Sequence, residues 1–259
     1  MKHSLTHHSA KASHYNGSAE HYDKLNEERS QVINGVIEKI LKKHAVKRVL
    51  DLTCGTGSQV FYLAKRGYEV VGSDINAKML KIARSKERTE KLGVQFIKGD
   101  MRTQQIEEFD AVVTIFNAVG HLTKLDFEQA MRNIAGNLKV GGLYIFDINN
   151  LSYLLKDNNI TKLTIDWQAM DGNTKARIIQ YSTINEAGIL ASYTIEHEQV
   201  GDQKPKISKS MQTLQVYRAE ELRAMLERCG FDVVEHCGID GAKFVEDETE
   251  CVLTVARKR

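Results

Sequence analysis

The feature that most constrains this chain is an alternation between short apolar runs and helical patterns, sustained from Arg48 to about Asn150. Runs at Arg48–Leu52, Glu69–Ser73, Val94–Lys98, Ala111–Phe116 and Leu143–Phe146 have the length and composition of strands. Between them lie helical stretches at Gln59–Arg66, closed by Gly67, at Ala77 to about Arg88, and at Phe127–Leu138. The last carries Phe127, Ala130, Met131, Ile134 and Leu138 on one face and ends at Gly141-Gly142. Strands joined through helical crossovers run parallel, so this region predicts a doubly wound sheet covered by helices. An amphipathic helix precedes it, with Val32, Ile33, Val36, Ile37, Ile40 and Leu41 on one stripe and Glu38, Lys39, Lys42 and Lys43 opposite.

Beyond Asn150 the period changes from helical to two. Leu163, Ile165, Trp167 and Ala169 alternate with Lys162, Thr164, Asp166 and Gln168, and turns follow at Asp171-Gly172-Asn173 and Glu186-Ala187-Gly188. This predicts an antiparallel meander from about Ile160 to Tyr217. A helix at Glu220–Arg228, stopped by Gly230, and strands at Phe231–His236 and Cys251–Ala256 then bring the main sheet to seven strands. Four segments result: an N-terminal tail and helix (1–44), a core (45–150), an inserted antiparallel sheet (151–217) and the completion of the core (218–259).

Composition narrows the function. The 36 basic and 34 acidic residues give a net charge of +2, which is no electrostatic footprint for nucleic acid. Lys204, Lys206 and Lys209 read as a solvated loop, and the Arg257–Arg259 tail as a frayed terminus. No apolar stretch approaches the ~20 residues of a membrane span, and no apolar segment follows Lys2 as in a secretory signal. Cys54, Cys229, Cys237 and Cys251 form no CxxC pair, which suits a reduced cytoplasmic protein. The scattered histidines His3, His7, His8 and His14 lack partners that would fix a metal geometry, so no metal is expected and residues 1–20 read as a mobile tail that orders near a ligand.

The chemistry lies after the first strand, in Val49-Leu50-Asp51-Leu52-Thr53-Cys54-Gly55-Thr56-Gly57. Gly55 and Gly57 let a ligand pack against the backbone of a tight turn that opens a helix. Asp74, 23 residues beyond Asp51 (74 − 51), ends the second strand, where an acid grips the hydroxyls of a nucleoside ribose with Ile75 beside it. A dinucleotide fingerprint wants a small residue at Val60 for close helix–sheet packing, and Asp51 would repel a phosphate. A cationic sulfonium carrying an ammonium group suits Asp51 better, so the expected cofactor is S-adenosylmethionine.

With those residues, Asp51–Gly57 resembles the DxxCGTG motif of class I methyltransferases, a family with a Rossmann-like core, and Thr53 stands where alanine is common. Gly99-Asp100-Met101-Arg102 resembles the stretch where the family's acid meets the adenine amine and the next residue packs on the ring, which implies Asp100 and Met101. Asn117-Ala118-Val119-Gly120-His121-Leu122 follows strand four, where such enzymes face the transferable methyl group. Within the family the chain is similar to small-molecule N-methyltransferases, both the amino-sugar N,N-dimethyltransferases and, more distantly, glycine N-methyltransferase. The shared features are GDMR, the GHL after strand four, the inserted sheet and a tyrosine-rich segment, Tyr15 to Asp23.

The resemblance implies Tyr15 and His121 near an acceptor amine. Tyr22 is a candidate to close over the cofactor, and Arg29 to hold its methionine carboxylate; His197 is a candidate for the acceptor pocket. The chain departs from the amino-sugar enzymes after strand five, where Asp147-Ile148-Asn149-Asn150 replaces an EPWW-like stretch. Asn149 also stands where glycine N-methyltransferase has a substrate-binding arginine, which argues against glycine. The absence of a (D/N)PPY turn at Asn117 and of a Pro-Cys nucleophile sets base methylation aside. The expected activity is methylation of a small molecule, most simply an amine, with O-methylation or cofactor binding without catalysis as alternatives. The expected partners are that acceptor and a second copy meeting through the inserted sheet, with no nucleic acid and no membrane.

Overall fold

A computed structural model describes residues 5–17, 19 and 22–259, apart from the side chains of Lys24 and Leu25. His3 and three positions of the tyrosine-rich segment, Ser18, Glu20 and His21, lie outside the described residues.

The main sheet has seven strands: β1 (Arg48–Asp51), β2 (Glu69–Asp74), β3 (Gln95–Lys98), β4 (Phe109–Thr114), β5 (Leu138–Asn149), β10 (Phe231–Gly238) and β11 (Cys251–Lys258). Their order is β10-β11-β5-β4-β1-β2-β3. The strands β1 to β5 pair in parallel, while β11 runs antiparallel between β5 and β10. Successive residues of the central strands enter opposite cores. Val49, Ala111 and Val113 pack with α1 (Tyr22–Lys43), α2 (Ser58–Ala64) and α3 (Ala77–Glu90), whereas Leu50 and Val112 pack with α4 (Lys124–Gly136) and α6 (Ala219–Arg228). A central strand covered on both faces must be apolar in nearly every position, which is why β1 and β4 read as continuous apolar runs. Among the described residues no helix is long and apolar enough to cross a membrane.

Helix α1 begins ten residues before the apolar stripe and so carries both Tyr22 and Arg29. Ile33, Ile37 and Leu41 are fully buried, but Val32, assigned to the same stripe, is 48% exposed. The meander is a separate four-stranded antiparallel sheet of β6 (Ile165–Asp171), β7 (Thr174–Ile184), β8 (Ile189–Val200) and β9 (Lys206–Gln215). Its first strand starts later than the alternation from Leu163 implied. After the short helix α5 (Leu151–Leu155), residues Lys156–Leu163 form 3-10 turns interrupted by left-handed Asp157 and Asn158. Leu190, Leu214 and Ile184 plug the base of the meander into the α4/α6 core, while β6 is exposed along most of its length.

Strand order reverses between β1, whose chain continues to β2, and β4, whose chain continues to β5. Ligands of open parallel sheets bind outside the strand ends at such a switch point.

Candidate active site

A cleft opens at that switch point. Its floor is the turn after β1. Gly55 (φ 53°) and Gly57 (φ 89°) are left-handed. A Cβ at Gly57 would lie 2.7 Å from the Phe61 ring, while one at Gly55 would meet nothing within 4 Å. Gly57 is thus required by packing, and Gly55 leaves open backbone facing the cleft.

Asp74 ends β2 and accepts from the backbone N–H groups of Gly55 (2.8 Å) and Asn76 (2.7 Å). It is not the cap of α3: Asn76 is, accepting from the N–H groups of Lys78 and Met79. Burial pushes the Asp74 carboxyl up from its usual range, and the two N–H groups oppose that shift. Asp51 lies behind the turn, accepts from Thr53 N–H (3.0 Å) and is 1% exposed. Burial lifts its carboxyl to about 7, against that N–H bond and helped by the charge of Asp74. Ile75 and Met101 bring apolar surface to the cleft. Asp100 lines it too, but here it is forked by Arg102 through Nε (3.0 Å) and Nη2 (2.6 Å). Against the cost of burial, that guanidinium holds Asp100 below the usual carboxylate range.

The opposite wall brings together two residues 106 positions apart. Tyr15 Oη lies 2.6 Å from His121 Nε2, and the rings meet edge to face at 5.4 Å. Burial, then the nearby His14 and His7, depress the His121 imidazole to about 3. Burial and the charge of Asp74 lift the Tyr15 phenol to about 12. Both groups are therefore neutral across the physiological range, and a single hydrogen joins the phenol oxygen to the imidazole. Tyr22 packs edge-on to Tyr15 at 5.6 Å and lines the same cleft.

Among the described residues, 10–12, 14 and 15 form a wall of this cleft and are not a free tail. Ala10 N–H donates to His121 O (2.8 Å), and Thr123 N–H to Ser9 Oγ (2.9 Å). His7 bridges Leu122 O (3.0 Å) and Thr213 Oγ1 (2.9 Å) on the meander. The start of α1 is clasped as well: Asp23 bonds to Thr56 of the glycine turn and to Lys86 Nζ (2.6 Å). The sequence held no periodic signal for these tethers, because they join isolated polar residues far apart in the chain.

Five candidates do not line the cleft: Arg29, Asn117, His197, Asp51 and Gly57. Arg29 points to Asp147 (3.3 Å) and stands 5.7 Å over the Phe116 ring. Asn117 Oδ1 accepts from Asn149 N–H (2.7 Å). His197 lies on β8 opposite Arg177 and Ile207. Among the described residues no group of three His, Cys, Asp or Glu could hold a metal ion.

The methyltransferase-domain family matches residues 49–142, which span the glycine turn, Asp74, the Asp100 loop and His121. The chain is an S-adenosylmethionine-dependent methyltransferase. A protein of Geobacillus sp. (strain WCH70) that bears a methyltransferase name is 24% identical over 94% of this chain and 99% of its own. Human glycine N-methyltransferase is 32% identical over 45% of each chain. Among solved structures, an S-adenosylmethionine-dependent methyltransferase from Clostridium acetobutylicum superposes with a TM-score of 0.76 at 21% identity, covering 94% of this chain and 98% of that one. The sugar N-methyltransferase KedS8 from Streptoalloteichus sp. reaches 0.76 at 16%, covering 100% and 98%. At those identities the structural likeness is one of fold.

The cleft fits such a cofactor on its own residues. Gly55 presents bare backbone, Asp74 is fixed by two N–H groups with acceptor capacity left over, and no phosphate-binding lysine or arginine lies on the turn itself.

Proposed function

We propose that this methyltransferase N-methylates a small amine held against the Tyr15–His121 pair. The observation that carries the reading is that pair: two neutral hydrogen-bonding groups, joined at 2.6 Å, in the wall opposite the glycine turn. The names of the relatives support it, since glycine N-methyltransferase and a sugar N-methyltransferase both act on amines. On this reading Asp74 holds the ribose hydroxyls, Ile75, Asp100 and Met101 take the adenine, and Asp51 lies toward the ammonium group with Gly55 and Gly57 shaping the turn. Asn117 acts on the cofactor side through the loop it anchors, and Tyr22 closes over the cleft.

When bound, S-adenosylmethionine supplies a methyl group on an already activated sulfonium. The protein therefore contributes position and the exclusion of water. A neutral wall is suited to that task. It neither repels an approaching amine nor stabilises its protonated, unreactive form. Tyr15 Oη offers the acceptor nitrogen a hydrogen-bonding partner, and His121 fixes the direction of that hydroxyl. Arg29, paired with Asp147, is unsuited to holding the methionine carboxylate unless it leaves that partner, although its Nε is buried without one.

The test is incubation of the protein with methyl-labelled S-adenosylmethionine and a panel of primary and secondary amines, including amino sugars and amino acids, followed by size fractionation. Label in a small product with an N–CH3 bond supports the reading. Label only on hydroxyl oxygen, label in macromolecules, or cofactor binding without turnover on any fraction of cell extract would each overturn it.

A further inference from the structure

The Asp147-Ile148-Asn149-Asn150 stretch at the end of β5 has no part in the cofactor reading, yet it surrounds the most strained backbone near the cleft. Phe116 (φ 65°) and Asn117 (φ 56°) are consecutive left-handed residues with side chains, directly after β4. Such a pair persists only where its surroundings over-determine it. Here the surroundings are Asp147, which is 0% exposed. Its Oδ1 and Oδ2 accept from Asn117 N–H at 3.3 and 3.4 Å, and the Phe116 backbone also donates to it. Arg29 Nη2 (3.3 Å) and Cys251 Sγ (3.4 Å) complete the shell. Every group facing the carboxylate is a donor, so both oxygens are used as acceptors. Asn117 then passes the constraint along: its Oδ1 takes Asn149 N–H, and its own carbonyl takes Gly120 N–H (2.9 Å), closing the 3-10 turn Ala118–His121.

We infer that Asp147 is a positioning residue for methyl transfer: with Arg29 as its counter-ion, it templates the left-handed Phe116–Asn117 turn and so aims His121 at Tyr15. An asparagine at 147 has nearly the same shape but turns an NH2 group toward donors, so one of the two acceptor oxygens and the charge that pairs with Arg29 are lost. The inference rests on the Tyr15–His121 pair being part of the site.

The test is the 15N signal of the His121 ring nitrogens in the full-length protein, in wild type, Asp147→Asn and Tyr15→Phe. His121 is not a hydrogen-bond partner of Asp147, so a carboxylate that merely stabilised its own neighbourhood would leave that signal in place. The expected result is that Asp147→Asn folds and moves the His121 Nε2 signal in the same direction as Tyr15→Phe. Arg29→Gln, whose side chain is 37% exposed, supplies a second variant should Asp147→Asn not fold, and it is expected to move the signal by a smaller amount. A His121 signal unmoved in folded Asp147→Asn, or in Arg29→Gln when that is the folded variant, overturns the inference. If Tyr15→Phe also leaves it unmoved, the failure lies with the Tyr15–His121 contact and not with Asp147.

Discussion

His121 and Tyr15 show how burial changes what a residue type can do. An ordinary histidine beside an acceptor amine titrates near neutrality and can relay a proton. In the folded chain the imidazole is held near 3, so protonation of His121 cannot produce an acid limb between pH 5 and 7. On the proposed N-methylation that limb belongs to the acceptor amine, which must be neutral to attack. Rate profiles on two amines of different basicity should therefore show limbs that follow the amine, and His121→Asn should leave them in place. Removing an oriented hydrogen bond of this kind costs on the order of 1.4 kcal/mol, about tenfold in turnover. His121→Asn and Tyr15→Phe should each show that loss, and the double variant little more, since both remove one bond. A loss of a thousandfold for His121 alone would return it to the role of a general base. Asp51 makes a second prediction. Its carboxyl sits near 7 in the free protein, and a cofactor ammonium beside it would lower that value. Below pH 7 the group must then give up a proton on binding. Cofactor affinity should weaken as pH falls below 7, level off above it, and calorimetry in buffers of different ionisation heat should show the released proton.

At the scale of elements, the glycine turn is the most sequence-determined part of the site. Gly57→Ala forces a side chain into a left-handed position and against Phe61, a combination worth roughly 1–3 kcal/mol. Urea denaturation should show that loss together with weakened cofactor binding; unchanged stability would mean the turn relaxes freely. The strands around this turn were legible because β1 and β4 are buried on both faces and α4 on one, so pattern and packing agree. The tethers of the N-terminal segment were not legible. His7, Ser9 and Ala10 meet Thr213, Thr123 and His121 only after the sheet has formed, and each is a single polar contact without periodicity. The pairing of Arg29 was hidden for a related reason: sequence shows a charge near the start of a helix, but its partner Asp147 lies 118 positions away. The first meander strand was placed too early, because an alternation through Leu163 cannot reveal the left-handed Asp157 and Asn158 that delay it.

At the scale of the molecule, the seven-stranded sheet and the meander divide the work. The meander touches the N-terminal wall of the cleft through Thr213, bonded to His7, and through Gln212, whose Oε1 lies 3.1 Å from His14 Nε2. Replacing strands β6 to β9 by a short linker should abolish methylation while leaving cofactor binding, provided circular dichroism shows the core still folded; the loss of Leu190 and Leu214 uncovers the α4/α6 core they plug, so solubility must be checked first. Full activity in that protein would make the meander an assembly surface, such as the contact between two copies. The central claim, however, is that the end of β2 grips the cofactor. Titration calorimetry of S-adenosylmethionine into wild type and Asp74→Ala tests it most directly. Loss of a charged hydrogen-bond acceptor predicts binding weaker by roughly 1.5–3 kcal/mol, about ten- to a hundredfold; an affinity equal to that of wild type would contradict the placement of the cofactor at this cleft.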